Sequence, residues 1–384
     1  MSESGEQTLA QAYALGGGQW PVGYDEWEAK AREVLEPAAF DYVAGGAGTE
    51  ATMRANLEAF YRRRLRPRML RGNATRDLGV EVLGTRAPAP IWLAPVGVQS
   101  IIHDEAELAV ARAAAATGTP LVVSTAASTP MEDIAAAMGD SPRWYQLYWV
   151  NDREVVESLV RRAEASGYGA IVLTLDTLHI GWRDRDLRNS AFLPFLAGKG
   201  IAQFTSDPVF RSRLAEPPEE NLMLAGATWV RMFPNLALTW EDTRWLRGLT
   251  TLPLLAKGVL SAEDANAARD AGFDGVIVSN HGGRQVDGAI AALDALPDVR
   301  GAAGGMTVLM DSGVRRGSDV VKALALGADA VMIGRPYAWG LAVGGQAGVE
   351  DVIRALTAEL DLTLALVGAA GVAELDEGFL AEVP

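Results

Sequence analysis

The sequence contains no cysteine among its 384 residues. This absence excludes disulfide bonds, thiolate metal sites and a cysteine nucleophile. The sequence also has no run of eighteen uninterrupted apolar residues, and its first ten residues, MSESGEQTLA, show no basic segment followed by an apolar one. We therefore expect neither a membrane span nor a secretory signal, and we expect a cytoplasmic protein.

The sequence has fewer basic residues than acidic ones. It contains 34 Lys and Arg and 49 Asp and Glu, which gives a formal net charge of −15. Binding of nucleic acid or of an anionic membrane needs a basic face, so neither partner is expected. An anionic ligand would have to be bound by a local cluster of arginines. Apolar residues make up 49% of the chain, which is enough for a large core.

Eight short β-rich runs recur from residue 90 onward, separated by segments with apolar residues at helical spacing. This alternation predicts an α/β fold, a (β/α)8 TIM barrel, whose strands are buried on both faces and so read as continuous apolar runs. A doubly wound parallel sheet is the alternative, but no GxGxxG follows the first run and GxxxxGK[ST] does not occur. The runs are 90–94, 120–124, 144–148, 170–174, 252–256, 275–279, 306–310 and 330–334, and helical segments include 105–116, 153–166, 262–271 and 318–326.

The spacing of these runs indicates a single domain over residues 1–384. Its parts are an N-terminal extension (1–89), the barrel (90–340) and C-terminal helices (341–384). The extension should contain a helix over 24–35. Residues 177–251 separate the fourth and fifth runs by more than one helix requires, so this segment is expected to be a lid over the catalytic face. Thr129 and Ser261, each followed by acidic residues, are expected to begin helices as caps.

Polar residues stand at the C-terminal ends of all eight runs, where a barrel brings its functional side chains together. Polar groups at every end suit a site for a large polar cofactor. These end positions are Pro95, Val96, Gly97, Ser124, Gln146, Tyr148, Thr174, Asp176, Lys257, Ser279, His281, Arg284, Asp311, Ser312, Gly313, Gly334 and Arg335.

The segment Ser-Asn-His-Gly-Gly-Arg-Gln-Val-Asp at 279–287 follows the sixth run. Its two glycines allow a sharp turn that can aim His281 and Arg284 into one pocket. His281 is one of only three histidines, and His103 and His179 have no such neighbours. We interpret His281 as a catalytic base whose tautomer Asp176 could fix.

Charged residues at other ends suggest anion binding. Lys257 could stabilise negative charge on a cofactor ring or form a Schiff base, unless it is a surface lysine. Arg183 and Arg284 could bind a carboxylate through two guanidinium groups, unless each forms an ordinary salt bridge. The Gly- and Arg-rich loops 311–317 and 333–336 follow the last two runs, where such barrels bind phosphate, although a Gly-rich loop alone can be a simple turn.

Several segments resemble the FMN-dependent α-hydroxy-acid oxidising enzymes, the family of glycolate oxidase, lactate oxidase and flavocytochrome lactate dehydrogenases. They are SNHGGRQVDG, DSGVRRGSDVVKALALGADAVMIGRP, YQLYW and LTLDT. Within this family the likeness is greatest to lactate 2-monooxygenase. It runs from YDEWEAKAREVLEPAAFDYVAGGAGTE through RPRML, GWRDRDL, LPFL and SDPVF to IGRPYAWG and covers nearly the whole chain.

The resemblance implies a single FMN hydroxy-acid dehydrogenase domain with FMN as cofactor, a small 2-hydroxy acid and O₂ as partners, and a homo-oligomer, either a tetramer or an octamer. It implies that His281 is the base, Asp176 its partner and Lys257 a cation beside the flavin. The implied substrate-binding residues are Tyr42, Tyr148, Arg183 and Arg284. The implied FMN-binding residues are Pro95, Val96, Gly97, Ser124, Gln146, Thr174, Lys257 and Ser279 for the ring, and Asp311, Ser312, Gly313, Arg315, Gly334 and Arg335 for the ribityl chain and phosphate.

Two outcomes of the oxidation are open. A monooxygenase would convert L-lactate and O₂ to acetate, CO₂ and water, whereas an oxidase would release a 2-keto acid and H₂O₂. The lid and the space at Gly97 are the expected determinants, and glycine at this position favours the monooxygenase. Trp182 and residues 192–196 could select a methyl side chain or simply pack, and a larger hydroxy acid is an alternative substrate. Hydride and carbanion mechanisms are both open.

Three other classes are weighed against this prediction. A Schiff-base aldolase would use Lys257 without flavin. A barrel like that of IMP dehydrogenase needs a nucleophilic cysteine, which the sequence lacks. An inactive FMN-binding module would not need His281 and Arg284. Neither motif nor ligand count supports a NAD or metal enzyme.

Overall fold

The computed structural model describes residues 5–14, 20–189 and 193–382. In this part of the chain the strands are β1 Arg63–Leu65, β2 Val80–Val82, β3 Thr85–Ala87, β4 Ile91–Leu93, β5 Leu121–Ser124, β6 Arg143–Leu147, β7 Ile171–Thr174, β8 Leu254–Val259, β9 Gly275–Val278, β10 Thr307–Met310, β11 Ala330–Ile333 and β12 Leu380–Glu382. The helices are α1 Gly5–Ala14, α2 Tyr24–Val34, α3 Pro37–Ala44, α4 Ala51–Arg62, α5 Ala106–Thr117, α6 Met131–Met138, α7 Arg153–Ala165, α8 Asp184–Arg188, α9 Ala202–Thr205, α10 Pro208–Arg211, α11 Leu222–Met232, α12 Trp240–Leu249, α13 Ala262–Asp270, α14 Ala292–Ala302, α15 Gly317–Ala325 and α16 Arg335–Val367. Short 3-10 turns cover Gln99–Ile101, Pro194–Ala197, His281–Gly283, Val372–Glu374 and Glu377–Phe379.

Strands β4 to β11 form a closed parallel barrel in chain order, and β11 pairs with β4 to close it. The TIM-barrel prediction is confirmed, and each of the eight predicted runs overlaps one barrel strand. The fifth strand begins later than predicted, at Leu254, because Pro253 has no N–H to donate to the ladder. It also runs on to Val259, past an irregularity between Lys257 and Val259.

The barrel interior is filled by apolar side chains, so the barrel is a support and not a channel. Trp92 and Trp144 are fully buried there, with ring centroids 5.7 Å apart. The β2–β3 hairpin packs against the same cluster, where the Trp144 indole N–H donates to Thr85 Oγ1 at 2.9 Å. A second apolar layer lies between the strands and the surrounding helices. With the interior packed, the C-terminal face is left for chemistry.

The N-terminal extension and the C-terminal segment complete the domain. β1 pairs antiparallel with β12, and the predicted helix over 24–35 corresponds to α2. Helix α16 is kinked at Gly344 and Gly345. The segment after α16 forms two 3-10 turns and β12.

One of the two predicted helix caps is confirmed. Ser261 accepts a hydrogen bond from the backbone N–H of Asp264 at the start of α13. Thr129 is not a cap, and that prediction is wrong. Helix α6 begins after Pro130, and the Thr129 hydroxyl instead donates to the buried Glu107 carboxylate at 3.0 Å. The bond to a buried acceptor uses the hydroxyl that the cap would need.

The segment between β7 and β8 carries helices α8 to α12 and packs over the C-terminal face. It is anchored by Asp207, whose side chain is fully buried and accepts hydrogen bonds from Ser158 at 2.6 Å and from Arg162 at 3.2 Å, both on α7. Of the helices in the described ranges, none is long and apolar enough to cross a membrane.

Candidate active site

A cavity of about 1140 Å³, counting its open mouth, lies at the C-terminal ends of the strands. The structure brings most of the predicted site residues to its wall. They are Tyr42, Pro95, Val96, Gly97, Tyr148, Arg183, Lys257, His281, Arg284, Asp311, Ser312, Gly313, Arg315, Gly334 and Arg335.

The remaining predicted residues are buried just behind this wall. The Gln146 amide accepts from Ser124 Oγ at 3.2 Å and donates to Thr174 Oγ1 at 2.9 Å. Ser279 Oγ accepts a hydrogen bond from the Lys257 ammonium at 2.8 Å. Asp176 contacts His281 from the side. Ser124, Gln146 and Thr174 thus fix one another at three adjacent strand ends, those of β5, β6 and β7.

His281 lies in a tight turn and has a left-handed backbone, with φ of 58°. Its Nδ1 is 2.8 Å from Asp176 Oδ1 and 3.0 Å from Thr177 Oγ1. With Nδ1–H donating to the carboxylate, Nε2 is the nitrogen that can accept a proton. A non-glycine residue with this backbone is strained and persists only where its surroundings hold it.

The charges around the pair keep the base neutral and the acid ionised. Burial lowers the pKa of the His281 imidazole despite the opposing effect of Asp176, and the charges of Lys257 and Arg183 lower it further. Burial alone would raise the pKa of the Asp176 carboxyl, but His281 and Lys257 outweigh burial and bring that pKa to about 2. At neutral pH the pair is therefore imidazole and carboxylate, the state in which His281 can accept a proton.

Lys257 is buried as a cation. Its Nζ lies 3.2 Å from Asp311 Oδ2. Burial alone would lower the pKa of the Lys257 ammonium, but the carboxylates of Asp311 and Asp176 outweigh burial and raise it. A Schiff base needs a neutral amine, so this environment disfavours the aldolase alternative and favours charge stabilisation.

Two partly buried arginines donate their hydrogen bonds to carbonyls at the C-terminal end of α3 and not to carboxylates. Arg284 donates to the carbonyls of Tyr42 at 2.6 Å and Gly45 at 2.8 Å, and Arg335 donates to those of Val43 at 2.9 Å and Gly45 at 2.8 Å. Among the described residues, no carboxylate lies within ion-pair distance of either guanidinium. The negative end of a helix satisfies their N–H groups without neutralising a full charge.

The environment of these two arginines favours a bound anion. Burial, followed by the charge of Arg183, lowers the pKa of the Arg284 guanidinium to about 9, and burial lowers that of Arg335 to about 10. Arg183 lies beside Arg284 and donates to its carbonyl at 3.2 Å, while its own carboxylate neighbour, Asp186, is 3.8 Å away. An anionic ligand would relieve this excess of positive charge.

The far end of the cavity has the features of a phosphate site. Nε of Arg315 is buried without a partner, and Gly313 has a φ of 104°. A Cβ at Gly313 would lie 2.9 Å from the Asn56 carbonyl oxygen, so only glycine fits beside α4. Together with Arg335, this end offers guanidinium and glycine N–H donors to an anion.

Asp311 and Ser312 already have protein partners. The Ser312 hydroxyl donates to Asp311 Oδ1 at 2.7 Å and accepts from the backbone N–H groups of Asn280 at 3.3 Å and Gly282 at 2.9 Å. Since these bonds use the hydroxyl fully, the predicted contact of Ser312 with a cofactor would have to use its backbone.

Sequence reasoning missed two members, Trp229 and Phe233, of an aromatic wall that the segment between β7 and β8 supplies. Phe195, Trp229 and Phe233 line the cavity, with ring centroids 4.3 Å and 4.8 Å apart along the series, and Phe233 reaches Tyr148 at 5.3 Å. Trp229 and Phe233 stand four residues apart, the spacing of one helical face, which was the available signal. Trp182, which was expected to select or pack, is exposed instead.

The structure partly answers the expectations for residues 192–196 and for Gly97. Phe195, within the predicted 192–196 segment, lines the cavity, whereas Phe192 lies outside the described residues. Gly97 lines the cavity, but a Cβ there would be 2.8 Å from Ala126 Cβ and 2.9 Å from Ala126 O. Close packing against Ala126 is thus a sufficient reason for glycine at this position.

The barrel, the neutral histidine and the cation-lined cavity are the features of an enzyme whose site can hold a phosphate-bearing cofactor. A family model described as FMN-dependent dehydrogenase matches residues 31–382. The chain belongs to this family, and it is an FMN-dependent oxidoreductase that oxidises 2-hydroxy acids. The resemblance stated from the sequence is confirmed.

Relatives match the chain over nearly its whole length. An FMN-dependent α-hydroxy acid dehydrogenase, qulF, of Penicillium citrinum is 44% identical over 90% of this chain and 87% of its own length. An L-lactate oxidase of Nostoc sp. is 44% identical over 94% of this chain and 98% of its own. A crystal structure of mandelate oxidase is 40% identical, covers 95% of this chain and 99% of that one, and has a TM-score of 0.84. The donors at the phosphate end, including the unpartnered Arg315 Nε, fit the phosphate of FMN.

The lowered pKa of His281 predicts how activity depends on pH. Only the neutral imidazole accepts a proton, so kcat/KM should fall as pH decreases through the pKa of His281 in the free enzyme. Because burial lowers this pKa, the midpoint of the acid limb should lie below 6.5, the ordinary value for histidine. Initial rates from pH 4.5 to 8 with FMN absorbance as a control test this, and a midpoint above 6.5 would contradict it.

The close packing of Gly258 against Asp176 predicts that a side chain at this position lowers turnover. It has a φ of 108°, and a Cβ there would lie 2.7 Å from Asp176 Cβ and 2.8 Å from its backbone nitrogen. Gly258→Ala should displace Asp176 from His281 and lower kcat per bound FMN on the order of 10- to 100-fold. Gly301→Ala is the control, since nothing lies within 4 Å of a Cβ there. Equal turnover of both variants would argue against the role of Asp176.

Proposed function

We propose that this enzyme oxidises a small L-2-hydroxy acid, with L-lactate and O₂ converted to acetate, CO₂ and water. The observation that carries the oxidation step is the neutral His281 beside two guanidinium groups, Arg183 and Arg284, in one cavity. A base next to a carboxylate site is what a 2-hydroxy acid requires. The cytoplasmic location and the tetramer or octamer stay predictions of the sequence.

Arg183 and Arg284 would bind the substrate carboxylate, since a planar guanidinium pairs with both of its oxygens. The guanidinium carbon of Arg284 lies 5.1 Å from the centre of the Tyr42 ring, which limits its movement. Burial raises the pKa of the Tyr148 phenol, so Tyr148 keeps its proton and can donate to a substrate oxygen. Tyr42 and Tyr148 both line the cavity at this end.

His281 Nε2 would accept the substrate proton, and Asp176 would stabilise the resulting imidazolium. When bound, FMN supplies a two-electron acceptor that O₂ reoxidises. Lys257 would place its positive charge beside the ring, where negative charge grows on reduction. Ser124, Gln146, Thr174 and Ser279 would support the ring edge, and Arg315 and Arg335 the phosphate.

The lid supports the monooxygenase outcome. H₂O₂ and the 2-keto acid form in the same cavity. If both stay there, a peroxide oxygen adds to the keto carbon, and the O–O bond and the bond to the carboxylate carbon break. Pyruvate then yields acetate, CO₂ and water. Phe195, Trp229 and Phe233 wall the cavity on the lid side and would slow the escape of the keto acid.

A second candidate is an oxidase that releases the 2-keto acid and H₂O₂, acting on a larger hydroxy acid. The apolar side chains of Phe195, Trp229 and Phe233 in the cavity wall offer a surface against which a side chain bulkier than methyl could pack. The name of one relative, L-lactate oxidase, favours release of the keto acid and H₂O₂, and the name of another, mandelate oxidase, favours both this release and a larger substrate.

Product analysis in air tests the proposal. With L-lactate, acetate and CO₂ should appear in equal amounts, with little H₂O₂, because both products of the first step stay in the cavity. Pyruvate with equimolar H₂O₂ would identify an oxidase, and turnover of mandelate but not lactate would identify a larger substrate. If no L-2-hydroxy acid bleached the bound FMN without oxygen, the assigned reaction itself would be refuted.

Arg284→Lys tests the carboxylate site. Lysine keeps the charge but replaces a two-pronged contact with a point charge, so KM should rise about tenfold with a smaller change in kcat. Arg354→Lys, on the exposed part of α16, is the matched control. Steady-state kinetics measure both variants, and an unchanged KM for Arg284→Lys would count against this role.

A further inference from the structure

We propose that Asn56, on helix α4 of the N-terminal extension, is a positioning residue for His281 and acts through Asn280. The proposal rests on the proposed role of His281 as the base. Asn56 does not line the cavity, so it cannot touch the substrate directly. Asn56 would instead fix the position of the His281 imidazole.

Asn56 and Asn280 form a reciprocal amide pair. Asn56 Nδ2 donates to Asn280 Oδ1 at 2.8 Å, and Asn280 Nδ2 donates to Asn56 Oδ1 at 2.7 Å. Both side chains are buried, at 2% and 5% exposure. Asn280 immediately precedes His281, so the pair connects α4 to the turn that carries the base.

Backbone contacts fix the orientation of both amides. Asn280 Oδ1 also accepts from the Gly283 N–H at 3.0 Å, and Asn280 Nδ2 donates to the Ile290 carbonyl at 3.0 Å. Asn56 Oδ1 also accepts from the Ala292 N–H at 3.1 Å. Neither amide can flip without breaking these bonds, so Asn280 presents one fixed oxygen to α4.

The pair holds a strained turn. His281, Gly282 and Gly283 all have positive φ, of 58°, 64° and 76°. From the barrel side, the turn is held by Ser312 Oγ, which accepts from the N–H groups on either side of His281. From the side of α4, the turn is held by Asn56 through its amide pair with Asn280. A strained conformation persists when its surroundings over-determine it, and here two elements distant in sequence do so.

The first test is Asn56→Leu, which keeps the side-chain bulk and removes the amide. The turn should relax and shift His281 relative to the substrate, lowering kcat on the order of 10- to 100-fold. KM should stay within about threefold, because the carbonyls of Tyr42 and Gly45 still hold Arg284. FMN content should be unchanged. Since the chain has three histidines, NMR of their ring carbons should show the His281 signal moving while those of His103 and His179 stay.

The second test is Asn56→Asp, which is nearly isosteric and so preserves the packing. Its neutral carboxyl can donate to Asn280 Oδ1, whereas its carboxylate opposes that oxygen. The ratio of its kcat to that of the wild type should therefore be highest at low pH and fall as pH rises through the pKa of the new carboxyl. Asn56→Leu should show no such trend.

Thr52→Val is the matched control. Thr52 lies one turn earlier on α4, is 1% exposed, and bonds the Val286 carbonyl at 2.7 Å without touching Asn280. The proposal requires wild-type kcat for Thr52→Val. Equal losses of kcat for Thr52→Val and Asn56→Leu, or a pH-independent ratio for Asn56→Asp, would overturn it.

His281→Ala in the same assay separates the two proposals. If it turned over normally, the base assignment would fail and the positioning role would fall with it. If it were inactive while Asn56→Leu kept wild-type kcat and an unmoved His281 signal, only the positioning role would be refuted.

Discussion

The contact between His281 Nδ1 and Asp176 Oδ1 is the interaction on which the rest of the site depends. Burying a carboxylate is costly unless a nearby charge and hydrogen bonds compensate, and here the Nδ1–H of His281 supplies a hydrogen bond and the Lys257 ammonium a charge. The same burial keeps the imidazole neutral. The Lys257 ammonium is in turn stabilised by the Asp311 carboxylate, and His281 lies in a turn with a strained backbone. The His281–Asp176 pair thus requires compensating charges around it and a strained backbone conformation at His281.

In this acidic chain, a helix end supplies the hydrogen-bond partners of two arginines in the cavity wall. With a net charge of −15, it has no excess of basic residues to spread over a surface. The C-terminal carbonyls of α3 instead satisfy Arg284 and Arg335 without neutralising them. A carboxylate partner would have compensated these charges and left nothing for a ligand. Helix α3 of the N-terminal extension therefore forms part of the cavity wall, and its carbonyls satisfy both guanidinium groups without a carboxylate.

The sequence predicted the barrel because strands buried on both faces read as apolar runs, and it predicted His281 and Lys257 because polar residues ended those runs. It did not predict contacts between distant elements. Asn56 and Asn280 are 224 positions apart, and nothing local marks either amide as half of a pair. Thr129 looked like a helix cap because its competitor, Glu107, approaches only in the folded chain. Local patterns specify elements, whereas the partners of polar side chains depend on which loops the fold brings together.

The loops at the catalytic face are held by side chains that bond to backbone. Glu107 accepts from the Ser128 N–H at 2.9 Å and from Thr129 Oγ1, and it lies within 3.4 Å of the Gln99 N–H, so one buried carboxylate joins the loops after β4 and β5. Ser312 does the same for the turn of His281. Loops lack ladder partners, and an unpaired buried N–H is costly, so each such side chain both satisfies the backbone and fixes its path. The path of these loops at the cavity therefore depends on buried polar side chains that bond to backbone.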